Sequence, residues 1–110
     1  MNFWQALDRL VNEHELVIDR PKGSAHPRYT EYIYPLDYGY LRGTASSDGG
    51  GIDVWRGTEP GGQISAIIVT VDLIKRDSEI KILLGCTEDE IMTINQYKTE
   101  NLKGILIRRE

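Results

Sequence analysis

Cysteine is almost absent from this chain: Cys86 is alone and has no intramolecular partner, so no disulfide framework can hold the fold. Long apolar runs are missing too. The longest, Ala66-Ile67-Ile68-Val69, falls far short of the roughly 18 residues a membrane-spanning helix needs, and no membrane insertion is expected. Positive charge is in deficit, with 13 Lys+Arg against 17 Asp+Glu and a formal net charge of −4. No general positive field exists to collect phosphate backbones, so nucleic acid is not an expected partner. The two histidines, His14 and His26, form no Cys/His cluster, which excludes the common zinc-site patterns. Asp8 and Arg9 interrupt Met1 to Leu10, where a signal peptide would need an apolar core, and the expected location is cytoplasmic.

What is present suits one globular domain spanning residues 1–110, with 40% hydrophobic and 27% charged residues to build a modest core. Phe3, Leu7, Leu10, Val11 and His14 recur at helical spacing and predict an amphipathic helix at the start. Leu16-Val17-Ile18 predicts a strand ending before Pro21, and the alternation from Tyr29 to Tyr34 predicts a second extended piece. Further strands are expected at Tyr38–Leu41, Ile52–Trp55, Ile64–Leu73, around Ile80 to Leu83, and at Gly104–Ile107. Thr87 followed by Glu90 is a capping box for a helix carrying Ile91, Ile94 and Tyr97. Short strands with Gly/Pro turns and a helix near each end predict a mainly β fold with flanking helices.

The chemistry concentrates between Tyr34 and Trp55. Asp48 and Asp53 stand on either side of the glycine run Gly49-Gly50-Gly51. Carboxylates on such a loop suit Mg²⁺, a hard cation that takes oxygen ligands, keeps several waters and is commonly shared with phosphate. Tyrosine hydroxyls can hydrogen-bond phosphate oxygens without adding negative charge. Taken alone, Asp48-Gly49 is a common polar turn, and Lys81 beside Glu79 is an ordinary surface pair on one strand face. Cys86 lacks a CxxC partner or neighbouring base and reads as a small buried residue.

Several segments together resemble the soluble family I inorganic pyrophosphatases, of which this chain would be a short, divergent member. Ile18-Asp19-Arg20-Pro21-Lys22-Gly23-Ser24 is similar to that family's opening strand, and Tyr34-Pro35-Leu36-Asp37-Tyr38-Gly39-Tyr40 to its Tyr-Pro-x-Asp/Asn-Tyr-Gly segment. Asp48-Gly49-Gly50-Gly51-Ile52-Asp53-Val54 falls where the signature Asp-Gly-Asp-Pro-Ile/Leu-Asp-Val belongs, while Glu79-Ile80-Lys81-Ile82 and Tyr97-Lys98 resemble later segments. The resemblance implies an OB-like five-stranded barrel and Mg²⁺-dependent hydrolysis of pyrophosphate by metal-activated water, with Mn²⁺ as an alternative metal. It assigns Asp48, Asp53, Glu79 and Asp19 to metal and Asp48, Asp53 and Tyr38 to the catalytic centre. Arg28, Tyr34, Lys81, Tyr97 and Lys98 go to pyrophosphate or phosphate. Kinship with oligomeric bacterial enzymes also implies a homo-oligomer.

Three departures bear on activity. Gly50 replaces the middle acid of the signature, Thr30 stands where an acid normally follows the phosphate-gripping pair, and Tyr29 to Tyr34 is too short for the family's next arginine-bearing segment. They motivate a competing expectation, a catalytically impaired phosphate- or metal-binding or interaction module on the same fold. A third, single-stranded nucleic-acid binding on an OB face, requires a positive groove that the acidic composition opposes.

Overall fold

The computed structural model describes residues 1–96 and 100–110. Asn2 starts the first helix by capping it: its side chain accepts from the Gln5 amide while the Gln5 side chain accepts from the Asn2 amide. Helix α1 (Phe3–Glu13) then buries Leu7 and packs Trp4, Leu10 and Val11 on a sheet. His14 closes it with extended backbone, its ring Nδ1 donating to the Arg42 carbonyl at 3.0 Å.

The sheet has six strands, β1 (Leu16–Arg20), β2 (Asp37–Leu41), β3 (Ile52–Arg56), β4 (Ile64–Asp72), β5 (Asp77–Leu84) and β6 (Leu102–Arg108), in the order β1-β2-β3-β5-β4-β6. All neighbours are antiparallel except β3 and β5, which run parallel. The mainly β class with flanking helices is as expected, but the strand number is six rather than five. The last strand, expected at Gly104–Ile107, runs over Leu102–Arg108, pairs along β4 from Asp72 back to Ala66 and takes an edge of the sheet. Among the described residues β1 and β6 are opposite edges, so the sheet stays open.

Strand alternation divides the core in two. Val54, Ile67 and Ile82 point toward α1, whereas their chain neighbours Trp55, Ile68 and Leu83 point to the opposite face. That second face is covered by helix α2 (Glu88–Asn95), through Ile91 and Ile94. The expected capping box is present: Thr87 accepts from the Glu90 amide, and the Glu90 carboxylate accepts from the Thr87 amide. Glu90 also accepts from the Thr58 amide and hydroxyl, which fastens the loop after β3 to the helix start.

The segment Tyr29–Tyr34 is not the strand its alternation predicts. Pro27 has no amide hydrogen to offer a ladder, and the His26 ring Nδ1 accepts from the Arg28 and Tyr29 amides, at 3.0 and 3.1 Å, reversing the chain. Ala25 and Ile33 form an isolated bridge, so residues 21–35 make a folded arm that carries its tyrosines over the sheet.

At the start of that arm β1 contains a bulge. Ile18 pairs with Gly39 and Arg20 with Tyr38, leaving Asp19 as an extra residue. Gly39 is required by the close approach here, because a Cβ on it would lie 1.8 Å from the Val17 carbonyl oxygen.

Candidate functional site

Parallel pairing of β3 with β5 sets Asp53 directly beside Lys81. On the same face Glu79 lies two residues back along β5, and Tyr40 and Tyr38 lie across on β2. The Lys81 ammonium donates to Asp53 Oδ2 at 2.9 Å, to the Tyr38 hydroxyl at 3.1 Å and to Glu79 Oε2 at 3.4 Å. Ser47, from the glycine loop, donates to the other Glu79 oxygen at 3.3 Å.

These groups perturb one another. Burial raises the Tyr38 phenol well above its ordinary value, so it is a neutral hydrogen-bonding group at physiological pH. Burial opposes the charge on Lys81, but the Asp53 carboxylate, with the neutral Tyr38 hydroxyl as a hydrogen-bond acceptor, more than offsets it and holds the ammonium protonated. Glu79 is raised, chiefly by burial and further by Asp53 and Asp48, with Lys81 acting against them.

A cleft of about 250 Å³ opens over this cluster, lined also by Asp19, Arg20, Asp48 and Lys75. Asp48 is preorganised by its own loop: Oδ1 accepts from the Gly50 amide at 2.9 Å and the Ser46 hydroxyl at 2.8 Å, which holds its carboxyl below the usual range. Arg20 donates to the Tyr34 hydroxyl at 2.6 Å, with its guanidinium 5.6 Å from the centre of that ring.

The fold therefore gathers most of the residues singled out from sequence. Asp19, Tyr34, Tyr38, Asp48, Asp53 and Lys81 share the cleft, and Glu79 supports Lys81 from beneath. Arg28 is not brought in: it is exposed on the arm, 5.8 Å from the centre of the Tyr29 ring, because the turn at His26 directs it outward. Tyr97 and Lys98 lie outside the described residues. Among the cleft residues not assigned a site role from sequence are Arg20, His26 and Lys75. Arg20 enters the cleft beside Asp19 through the bulge in β1, which strict alternation along the strand does not reveal. Cys86 is buried as expected, and burial pushes its thiol up to about 12.

Among the described residues no three His, Cys, Asp or Glu side chains converge as a closed metal cage. Mg²⁺ does not need one, since it commonly binds through one or two carboxylates and completes its shell with water and phosphate oxygens. Asp48 and Asp53, hard oxygen donors on one cleft beside cationic groups, fit that mode of binding.

No family model and no curated protein matches this chain in sequence. Solved structures do match in shape. An inorganic pyrophosphatase from Helicobacter pylori superposes with a TM-score of 0.57 at 13% identity, over 84% of this chain and 81% of that one. The fold is that of inorganic pyrophosphatases. A structure described as an inorganic phosphatase from Anaplasma phagocytophilum gives the same TM-score of 0.57 at 14% identity, again over 84% and 81% of the two chains. The pyrophosphatase fold, mainly β and OB-like, is thus kept while nearly all of the sequence differs.

Proposed function

We propose that the cleft binds inorganic pyrophosphate with Mg²⁺ and hydrolyses it to two phosphates, residues 1–110 acting as one pyrophosphatase-like unit. The observation that supports this most is the convergence of Asp48, Asp53, Lys81, Tyr38 and Arg20 on one cleft. That mixture of acids, cations and neutral phenols complements a metal–diphosphate better than bare phosphate.

Asp48 and Asp53 would hold the ion, with Asp19 and Glu79 acting on its water shell, and Mn²⁺ could take the same place. When bound, the metal neutralises diphosphate charge and acidifies a coordinated water. The chain's own groups do the positioning. Lys81 is kept charged by its carboxylate partner and presents a fixed cation to phosphate oxygens. Tyr38 and Tyr34 supply hydroxyls, and Arg20 replaces Arg28 as the guanidinium nearest the cleft. Tyr97 and Lys98 remain substrate ligands by resemblance.

Phosphate release from pyrophosphate, with Mg²⁺ and with Mn²⁺, tests the proposal against Asp48→Ala. Turnover clearly above that variant is expected; equal rates would remove hydrolysis. A second reading, a catalytically impaired binding module, draws support from Gly50, which contributes no side chain where the signature carries an acid. In that case calorimetry with imidodiphosphate and Mg²⁺ gives binding heat while phosphate release stays at background.

Assembly and location complete the proposal: a cytoplasmic homo-oligomer. Among the described residues no helix is long and apolar enough to cross a membrane. On the face opposite the cleft, Val71, Ile80 and Ile105 are exposed near one another across β4, β5 and β6. A sedimentation coefficient of a multimer is expected at micromolar concentration, and a monomer would refute assembly.

A further inference from the structure

Beside the polar cleft lies a second cavity of about 190 Å³, and the two share His26, Tyr34, Tyr38 and Lys81 as a common wall. Its chemistry is different. Tyr32, Tyr34, Tyr38 and Trp55 form a continuous aromatic surface, with successive ring centres 5.0, 5.5 and 4.6 Å apart. Ile68 and Ile94 supply aliphatic surface to the same chamber. Inorganic pyrophosphate is built of phosphate oxygens alone and gains nothing from such a wall. A ligand that uses both cavities carries phosphates at one end and an apolar, flat group at the other.

Polar groups in the chamber narrow the choice. Thr70 brings a buried hydroxyl, which donates to the Glu79 carbonyl at 3.5 Å and can also accept. The His26 ring adds a donor: Nδ1 already accepts from two backbone amides, so in the neutral ring the proton resides on Nε2. His26 is also nearly parallel to Tyr34, with 9° between the planes and 6.1 Å between centres. A heteroaromatic base has two faces for stacking and an edge of hydrogen-bonding atoms, and a cavity of this size accommodates one such ring. An isoprenoid chain would offer no acceptor to the His26 Nε2–H and no donor to the Thr70 hydroxyl oxygen.

We infer that this cleft also takes a nucleoside polyphosphate, its phosphates over Lys81 and Asp53 and its base in the aromatic chamber. This rests on the proposed phosphoanhydride site and extends its substrate class beyond inorganic pyrophosphate.

A matched pair of non-hydrolysable probes tests it by calorimetry in Mg²⁺: adenosine α,β-methylenediphosphate against methylenediphosphonate. Stacking of one base is expected to tighten the nucleotide by roughly ten-fold or more. Tyr32→Ala, checked for folding by circular dichroism, should reduce that preference at least five-fold, and Tyr32→Phe should retain it. Equal affinity of the two probes, weaker nucleotide binding, or an unchanged preference in Tyr32→Ala would overturn the inference while leaving the phosphate cleft intact. Tighter binding of geranyl diphosphate than of the nucleotide would replace the base by an aliphatic chain and overturn it too. If neither matched probe binds, the phosphate site itself fails, a result separable from the others.

Discussion

Replacing Lys81 with methionine keeps the length and apolar stem of the side chain but deletes the ammonium that Asp53, Tyr38 and Glu79 share. Breaking a fully buried ion pair by removing one partner costs about 3–5 kcal/mol. The side chains here are 18% exposed for Lys81, 20% for Asp53 and 5% for Glu79, so water relieves part of the penalty. A destabilisation of about 2–3 kcal/mol at pH 7 is expected, from a total of about 5–15 kcal/mol for a domain of this size. It corresponds to a fall in Tm of about 10–20 °C.

The loss should depend on pH, with a definite sign. Glu79 already has a raised pKa, and Lys81 is the group that lowers it, so Lys81→Met raises it further. Between the ordinary glutamate value and that raised value the folded chain binds a proton that the unfolded chain does not. Stability from this group is therefore present at low pH and lost as pH rises through the window. Urea denaturation at pH 7 and pH 5 should show a smaller deficit at pH 5, and Glu79→Gln in the Lys81→Met background should recover part of the loss. A variant within about 0.5 kcal/mol of the parent at pH 7, the range of an ordinary surface change, would refute the account, as would a deficit unchanged by pH.

Three further outcomes follow from other parts of the structure. Gly39→Ala puts a methyl 1.8 Å from the Val17 carbonyl oxygen, so β1 must separate from β2; a loss above about 3 kcal/mol is expected in urea denaturation. Gly50→Asp is tolerated, because its Cβ would meet only Asp48, at 3.2 Å from Oδ1, within an exposed loop; if the cleft hydrolyses pyrophosphate, the added carboxylate should raise phosphate release by at least ten-fold, with the roughly 10²–10⁴-fold of a fully placed general base as the ceiling. Cys86, buried with its thiol pushed up to about 12, should resist iodoacetamide at pH 8 in the native protein and react in 8 M urea, as followed by mass spectrometry.

Local chemistry was legible where one residue depends on its near neighbours. The Thr87/Glu90 capping box, the spacing of Leu7 and Leu10, and the β-branched run of β4 each lead to the element observed. Tyr29–Tyr34 misleads for a reason that is also local but easily missed: His26 binds two backbone amides and turns the chain. Candidate site residues were legible as a set of residue types, because the segment from Tyr34 to Asp53 combines tyrosines, acids and glycines in a pattern similar to a known family. Arg28 is assigned to phosphate by resemblance, whereas the guanidinium that lines the cleft is that of Arg20, and Arg28 is exposed beside Tyr29.

The chain's order of residues thus determined its helices, most of its strands, its acidic character and the residue types available for metal and phosphate, since all of these depend on composition or on neighbours a few positions apart. Tertiary structure alone decided that Asp53 meets Lys81, because their strands lie side by side in parallel across 28 residues of sequence. It also decided that a bulge delivers Arg20 beside Asp19, and that an aromatic chamber adjoins the polar cleft. Strand pairing is chosen by burial of the whole sheet. No short segment carries that information, and a shift of one residue would turn each of these side chains to the other face.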